Sequence, residues 1–206
     1  MRFALVAALI VVGGSVVIAA PPSTTASARS AVAELGQQLK QATSFAERGD
    51  WAKAATMLDE ASLRARLRAP MSIDVALPTL GPHRGRGVYE RLPDGVLPGR
   101  TLHLMLEVSG VHAVKDGARF RHDLDVTGRF FVVHGDGTPD EDLGERALGR
   151  HSVTSFYEQP TQVVGAEVAL GGAPAGAYAV VVTVVDRATG VTASSRVPFS
   201  LRDATP

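Results

Sequence analysis

The chain has 206 residues, with 21 Lys and Arg against 21 Asp and Glu, and no cysteine. That balance offers nothing to a polyanion such as nucleic acid. The missing cysteine excludes disulfides, a thiol nucleophile and a lipid-modified cysteine anchor.

The first segment, Met1 to Ala28, reads as a targeting signal. Arg2 and the free amine give a short positive start, and Phe3 to Ala20 is apolar or small throughout. Pro21 and Pro22 stop a helix, and Ala26-Ser27-Ala28 supplies the small residues a signal peptidase needs, with Ala28 as the cleavage residue. An uncleaved membrane anchor is the alternative. Both place the rest of the chain outside the cytoplasmic membrane. Arg outnumbers Lys, and Ala, Gly and Val are abundant, the usage of a GC-rich bacterial genome. The expected location is therefore periplasm, cell surface or medium. The remainder is long enough for one domain with a sizeable core and a small appendage.

Arg29 to Pro70 changes character. Val32, Leu35, Leu39, Ala42 and Phe45 recur at helical spacing. Gly49 suits a left-handed helix end and Asp50 the N-cap of a second helix. That helix carries Trp51, Ala54, Ala55, Leu58, Ala61 and Ala65 on its packing side, ends with Arg64, Arg66 and Arg68, and stops at Pro70. An antiparallel helical hairpin is expected. Ala42, Phe45, Gly49, Asp50, Trp51, Ala54, Ala55, Leu58 and Ala61 resemble the small, aromatic and turn positions of a tetratricopeptide repeat. The resemblance covers some twenty residues and departs at Gln38 and Gln41, where that family carries bulky residues. A repeat of this kind cannot bury its own face, and about three are needed for stability. The hairpin is therefore expected to pack on its own β domain or on another chain, with Trp51 buried beside Phe45.

From residue 71 to residue 203 the signals are strand and turn. Ile73, Val75 and Leu77 alternate, as do Leu102, Leu104, Leu106 and Val108, with His103, Met105 and Glu107 opposite. Phe120, His122, Leu124 and Val126 alternate with Arg121, Asp123 and Asp125. Phe130 to His134 forms a further apolar run, and Ala166, Val168 and Leu170 precede Gly171-Gly172. Ala177 to Val185 reads as a central strand buried on both faces. Asp186 to Gly190 is the turn into a last strand, with Val191, Ala193, Val197, Phe199 and Leu201 on one face. About seven strands without intervening helices predict a mainly β fold, an immunoglobulin-like sandwich preceded by the helical hairpin. The Pro174, Gly176, Tyr178 entry and the Asp186 to Gly190 turn resemble C-terminal sandwich domains of secreted, mostly uncharacterised bacterial proteins.

No chemistry stands out. Asp136, Asp140, Glu141 and Asp142 crowd one loop and form the single candidate cation site, though their spacing does not match the EF-hand. The six histidines (His83, His103, His112, His122, His134 and His151) lack zinc-helix spacing and read as structural. Ser109, Ser152 and Ser155 have no nucleophile-elbow setting. Gly81 to Gly87 lacks the ending of a phosphate loop and reads as a surface loop, and Asp123 with Asp125 reads as a charged outer face. The expectation is an exported, non-enzymatic protein-interaction or structural module of the bacterial cell envelope. It needs no catalytic residues, cofactor or metal, its partner is a protein, and it meets membrane only through an uncleaved N-terminal segment. The alternative is a glycan- or calcium-binding envelope sandwich.

Overall fold

The computed structural model describes residues 25–85, 87–135 and 138–202. The apolar run of the expected signal lies outside them. Helix α1 (Thr25–Glu47) and helix α2 (Trp51–Arg68) form the predicted hairpin. Gly49 takes φ +78°, a backbone state open chiefly to glycine, and turns the chain. Asp50 then caps α2 by accepting from the Lys53 backbone N–H. Ala28, the expected cleavage residue, lies within α1.

Nine strands follow: β1 (Ser72–Thr79), β2 (Val96–Leu97), β3 (Thr101–Ser109), β4 (Val114–Asp116), β5 (Arg119–Val132), β6 (Glu141–Ser155), β7 (Thr161–Ala169), β8 (Gly176–Asp186) and β9 (Thr192–Leu201). They make a β-sandwich. The smaller sheet runs β1-β3-β7. The larger runs β2-β9-β8-β5, with β6 along the far edge of β5 and β4 beside its first residues. All pairings are antiparallel except β2 with β9. The core lies between the sheets, where Leu102, Leu104, Leu106 and Val108 of β3 meet Leu124 and Val126 of β5 and Val180, Val182 and Val184 of β8.

Four strand expectations change. Phe130 belongs to the same strand as Phe120, because β5 runs unbroken through Gly128. A Cβ at Gly128 would lie 2.9 Å from both Leu148 Cδ1 and Val180 Cγ2, so glycine is what lets these two side chains close over the strand. β6, the longest strand, takes in Glu141 and Asp142 of the expected acidic loop and runs on to Ser155. Two register shifts against β5 break its alternation, and most of its residues are exposed. In β1 a shift between Ile73 and Val75 hands the core-facing role from Ile73 to Ala76. In β8 only one face is fully buried, since Val181, Thr183 and Val185 keep partial exposure.

The segment between β1 and β2 is also more ordered than a free surface loop. Leu80 N–H donates to Glu90 O and Leu92 N–H to Pro78 O, closing a long hairpin. Its His83 ring occupies the place of a Gly165 side chain, 2.6 Å from an ideal Cβ there. Met105, the register partner of Gly165, has no exposure although it points away from the core. The hairpin thus covers the outer face of the smaller sheet.

Candidate functional site

The most unusual surface belongs to the arm. Gln38 and Ala42 of α1 face Ala54 and Ala61 of α2, and among the described residues these are the arm's only buried ones. At about 100° per residue, one further stripe of α1 holds Val32, Gly36, Leu39, Thr43 and Ala46. The equivalent stripe of α2 holds Trp51, Ala55, Leu58, Ser62 and Ala65. Each stripe lies about a quarter-turn, in the same rotational sense, from the residues facing the other helix. In an antiparallel pair that places both on one side of the hairpin. Neither stripe contains a charge. Val32 is 71% exposed, Trp51 70%, Leu58 48% and Leu39 45%. Soluble chains seldom leave so continuous an apolar face open.

The expectation that Trp51 is buried is therefore corrected. Trp51 stands at the first position of α2, at the tip of the arm and away from the sandwich. The helices pack on one another and meet the β domain mainly at their root. There Gly110, with φ +71°, passes under the chain so closely that a Cβ would lie 2.7 Å from the Pro70 carbonyl oxygen. A shallow cleft beside the root separates Asp59, Ser62, Leu63 and Arg66 of α2 from Glu158 to Thr161, so the apolar stripe borders the sandwich at Ser62 and is open from Leu58 to the tip.

The opposite side of the arm is polar. Glu34 pairs with Arg64 and Arg68 across the two helices. Near the tip, Arg48 and Lys53 lie 4.9 and 5.6 Å from the Phe45 ring centre. Lys53 also bridges to Asp50 at 2.6 Å, and this contact holds the Asp50 carboxyl below its usual range.

The expected cation loop is dispersed. Glu141 and Asp142 lie on β6. Arg129 Nε donates to Asp142 at 2.9 Å, and that arginine keeps the carboxyl below its ordinary range with help from the Gly144 N–H. Arg196 holds Asp140, and Asp136 lies outside the described residues. Asp123 and Asp125 do occupy an outer face. Ser152 Oγ and Arg121 serve Asp123, lowering its pKa, while Arg150 and Arg187 serve Asp125. Among the described residues no group of histidines and carboxylates is placed to hold a metal ion.

The histidines are less ordinary than their scatter suggests. His122 is fully buried on β5, with Leu124 and Val126 on the same face. Its Nε2 accepts from the Gln159 N–H at 3.4 Å, and its Nδ1 makes no hydrogen bond. Burial pushes the ring below its usual pKa, against partial offsets from the His112 backbone and the carboxylates of Glu158, Asp186 and Asp123. His151, opposite Leu124 on β6, is lowered in the same way by burial, against a partial offset from a hydrogen bond with Gln162. Asp186 is fully buried too. It accepts from the His112 N–H at 2.9 Å and from Ala188 N–H at 2.8 Å, which fixes the β8–β9 turn as its type suggested. His122 is legible as inward-facing from its alternation with Leu124 and Val126; the place of His151 beside β5 is not, because β6 lacks that alternation.

One further cavity of about 450 Å³ opens at an end of the sandwich, floored by Phe130 and the stacked Tyr178 and Phe199 rings. Glu141 and Arg146 line it with opposite charges. No unpartnered buried polar atom among the described residues points into it, so nothing there specifies a ligand. No family model matches the chain, and no curated protein matches its sequence.

Proposed function

We propose that this is an exported, non-enzymatic protein-interaction module of the bacterial cell envelope, in which the sandwich is a rigid base and the helical arm is the docking element. The observation that carries the reading is the charge-free, uncovered face of the arm with Trp51 at its tip. Export rests on the N-terminal pattern of Arg2, the apolar run and Ala26 to Ala28. Among the described residues no helix is long and apolar enough to cross a membrane, and the N-terminal run lies outside that set. The tetratricopeptide-like positions fit a helix pair built to stack against further helices. The immunoglobulin-like reading of the sandwich supports a binding role by architecture alone. The calcium-binding alternative draws less support, because arginines already hold Asp140 and Asp142.

The test is capture from the envelope fraction with the full chain and with its Trp51→Glu variant as baits. Proteins retained by the first and lost by the second support docking through the arm. Identical retention would sink that role, and a predominantly cytosolic chain would sink export.

A further inference from the structure

We infer that the arm's apolar face is an interface between two copies of this chain, closing a four-helix bundle between their hairpins. The inference rests on the docking role just proposed and names the occupant. Size is the first argument. Trp51 at 70% exposure leaves roughly 175 Å² open. With Val32, Leu39, Leu58 and the small residues between them, the face offers on the order of 600 Å² per copy, so a pair buries about 1,200 Å², which reaches the range of stable interfaces.

Shape is the second argument. Along α1 the large Val32 and Leu39 alternate with Gly36, Thr43 and Ala46. Along α2 the large Trp51 and Leu58 alternate with Ala55, Ser62 and Ala65. A symmetric dimer must use the same patch on both subunits, so that patch has to complement itself. Here, turning a second hairpin over onto the first sets Trp51 of one copy above small residues of the other. That holds whether the two-fold axis runs along the helices, over Ala46, or across them, over Ala65. Gly36 is open enough that a Cβ there would meet nothing within 4 Å, which leaves room for an incoming side chain.

Charge is the third argument. The stripes carry no ionised group that a partner would have to neutralise, and the chain's formal net charge is zero, so two copies approach without repulsion. The polar face, with Glu34, Arg64 and Arg68 already paired, has no such need for cover. A lone hairpin of this length gains little from its own small seam, so covering the second face supplies what the helices lack.

The experiment uses the full chain recovered from its host. Sedimentation equilibrium at about 50 µM, a concentration suited to a micromolar interface, is expected to give the dimer mass. Leu58→Asp buries a charge at the seam and is expected to weaken dimerisation on the order of 100-fold, giving a monomer at that concentration. Val32→Asp, at a more exposed position, is the second variant should Leu58→Asp disturb the far-UV circular dichroism. Because the chain has no cysteine of its own, single cysteines report contact without background. Leu39→Cys and Leu58→Cys, alone or mixed, are expected to cross-link between copies, and Glu60→Cys on the polar face is not. A monomeric wild type overturns the inference, whether the face is covered by residues 1–24, by a different protein or by nothing. So does a dimer that survives both charged variants, or one that cross-links equally well through Glu60→Cys. If the wild type is monomeric while envelope capture still depends on Trp51, the docking role stands and only the second copy is refuted.

Discussion

Replacing Trp51 with alanine tests how the arm is held. A Trp sunk in a core costs about 3–5 kcal/mol to truncate. Trp51 is 70% exposed, so under a third of its ring is covered within one chain. That is roughly 75 Å² of a side chain of about 250 Å², worth no more than about 2 kcal/mol. Alanine is the better helix former by a few tenths of a kcal/mol, which lowers the net cost to about 1.5 kcal/mol. Native-state hydrogen exchange on a dilute sample reads this locally. Protected amides of α1 and α2 are expected to exchange about tenfold faster or less, while strands β3, β5 and β8 keep their rates. Leu106→Ala is the contrast, because Leu106 is fully buried. It is expected to cost about 2–5 kcal/mol in the strands and leave the helices nearly untouched. A loss above about 3 kcal/mol from Trp51→Ala, or one that spreads into the sandwich, would mean that Trp51 is packed and the account of an uncovered arm is wrong.

Stability is expected to fall as pH drops from about 7 to 5. The ordinary histidine value is 6.5, and burial lowers His122 and His151 below it, so in that window the unfolded chain binds protons that the folded chain refuses. For the buried His122 one proton sets a ceiling of about 1.4 kcal/mol per pH unit on the slope, and an unchanged or higher thermal midpoint at pH 5 would contradict the direction. Asp186→Ala leaves the His112 and Ala188 N–H groups without their acceptor and is expected to cost at least about 2 kcal/mol in a urea melt. A neutral result would show the turn holding itself. Gly128→Ala is expected to cost about 1–3 kcal/mol by overpacking against Leu148 and Val180. Adding Leu148→Ala should recover part of that loss, and simple additivity of the two would refute the proposed contact.

Much of this fold was visible in the sequence where one physical signal dominated. Leu102 to Val108 alternate cleanly because β3 sits centrally in its sheet, with one face wholly in the core. Gly49 and Asp50 marked the hairpin turn because a positive φ and a helix cap each demand particular side chains. β6 was invisible because edge position and two register shifts leave Leu148 and Val153 as its few inward apolar residues, and because Asp140 to Asp142 look like a loop. The arm's face was misread for a different reason. Helical spacing shows that Val32, Leu39, Trp51 and Leu58 share a side, but it does not say what lies against that side. Two apolar stripes per helix, one toward the other helix and one toward solvent, only separate once burial is known.

Trp51 is the only tryptophan in the chain, so its fluorescence reports the arm's face alone. Acrylamide quenching of a sample diluted until it is monomeric is the most direct test of the docking surface. Water-like emission is expected, quenched nearly as well as free tryptophan, because neither the sandwich nor the neighbouring helix covers the ring. Blue-shifted emission that stays protected at the highest dilution would contradict it, and would show that the arm's face is closed within a single chain.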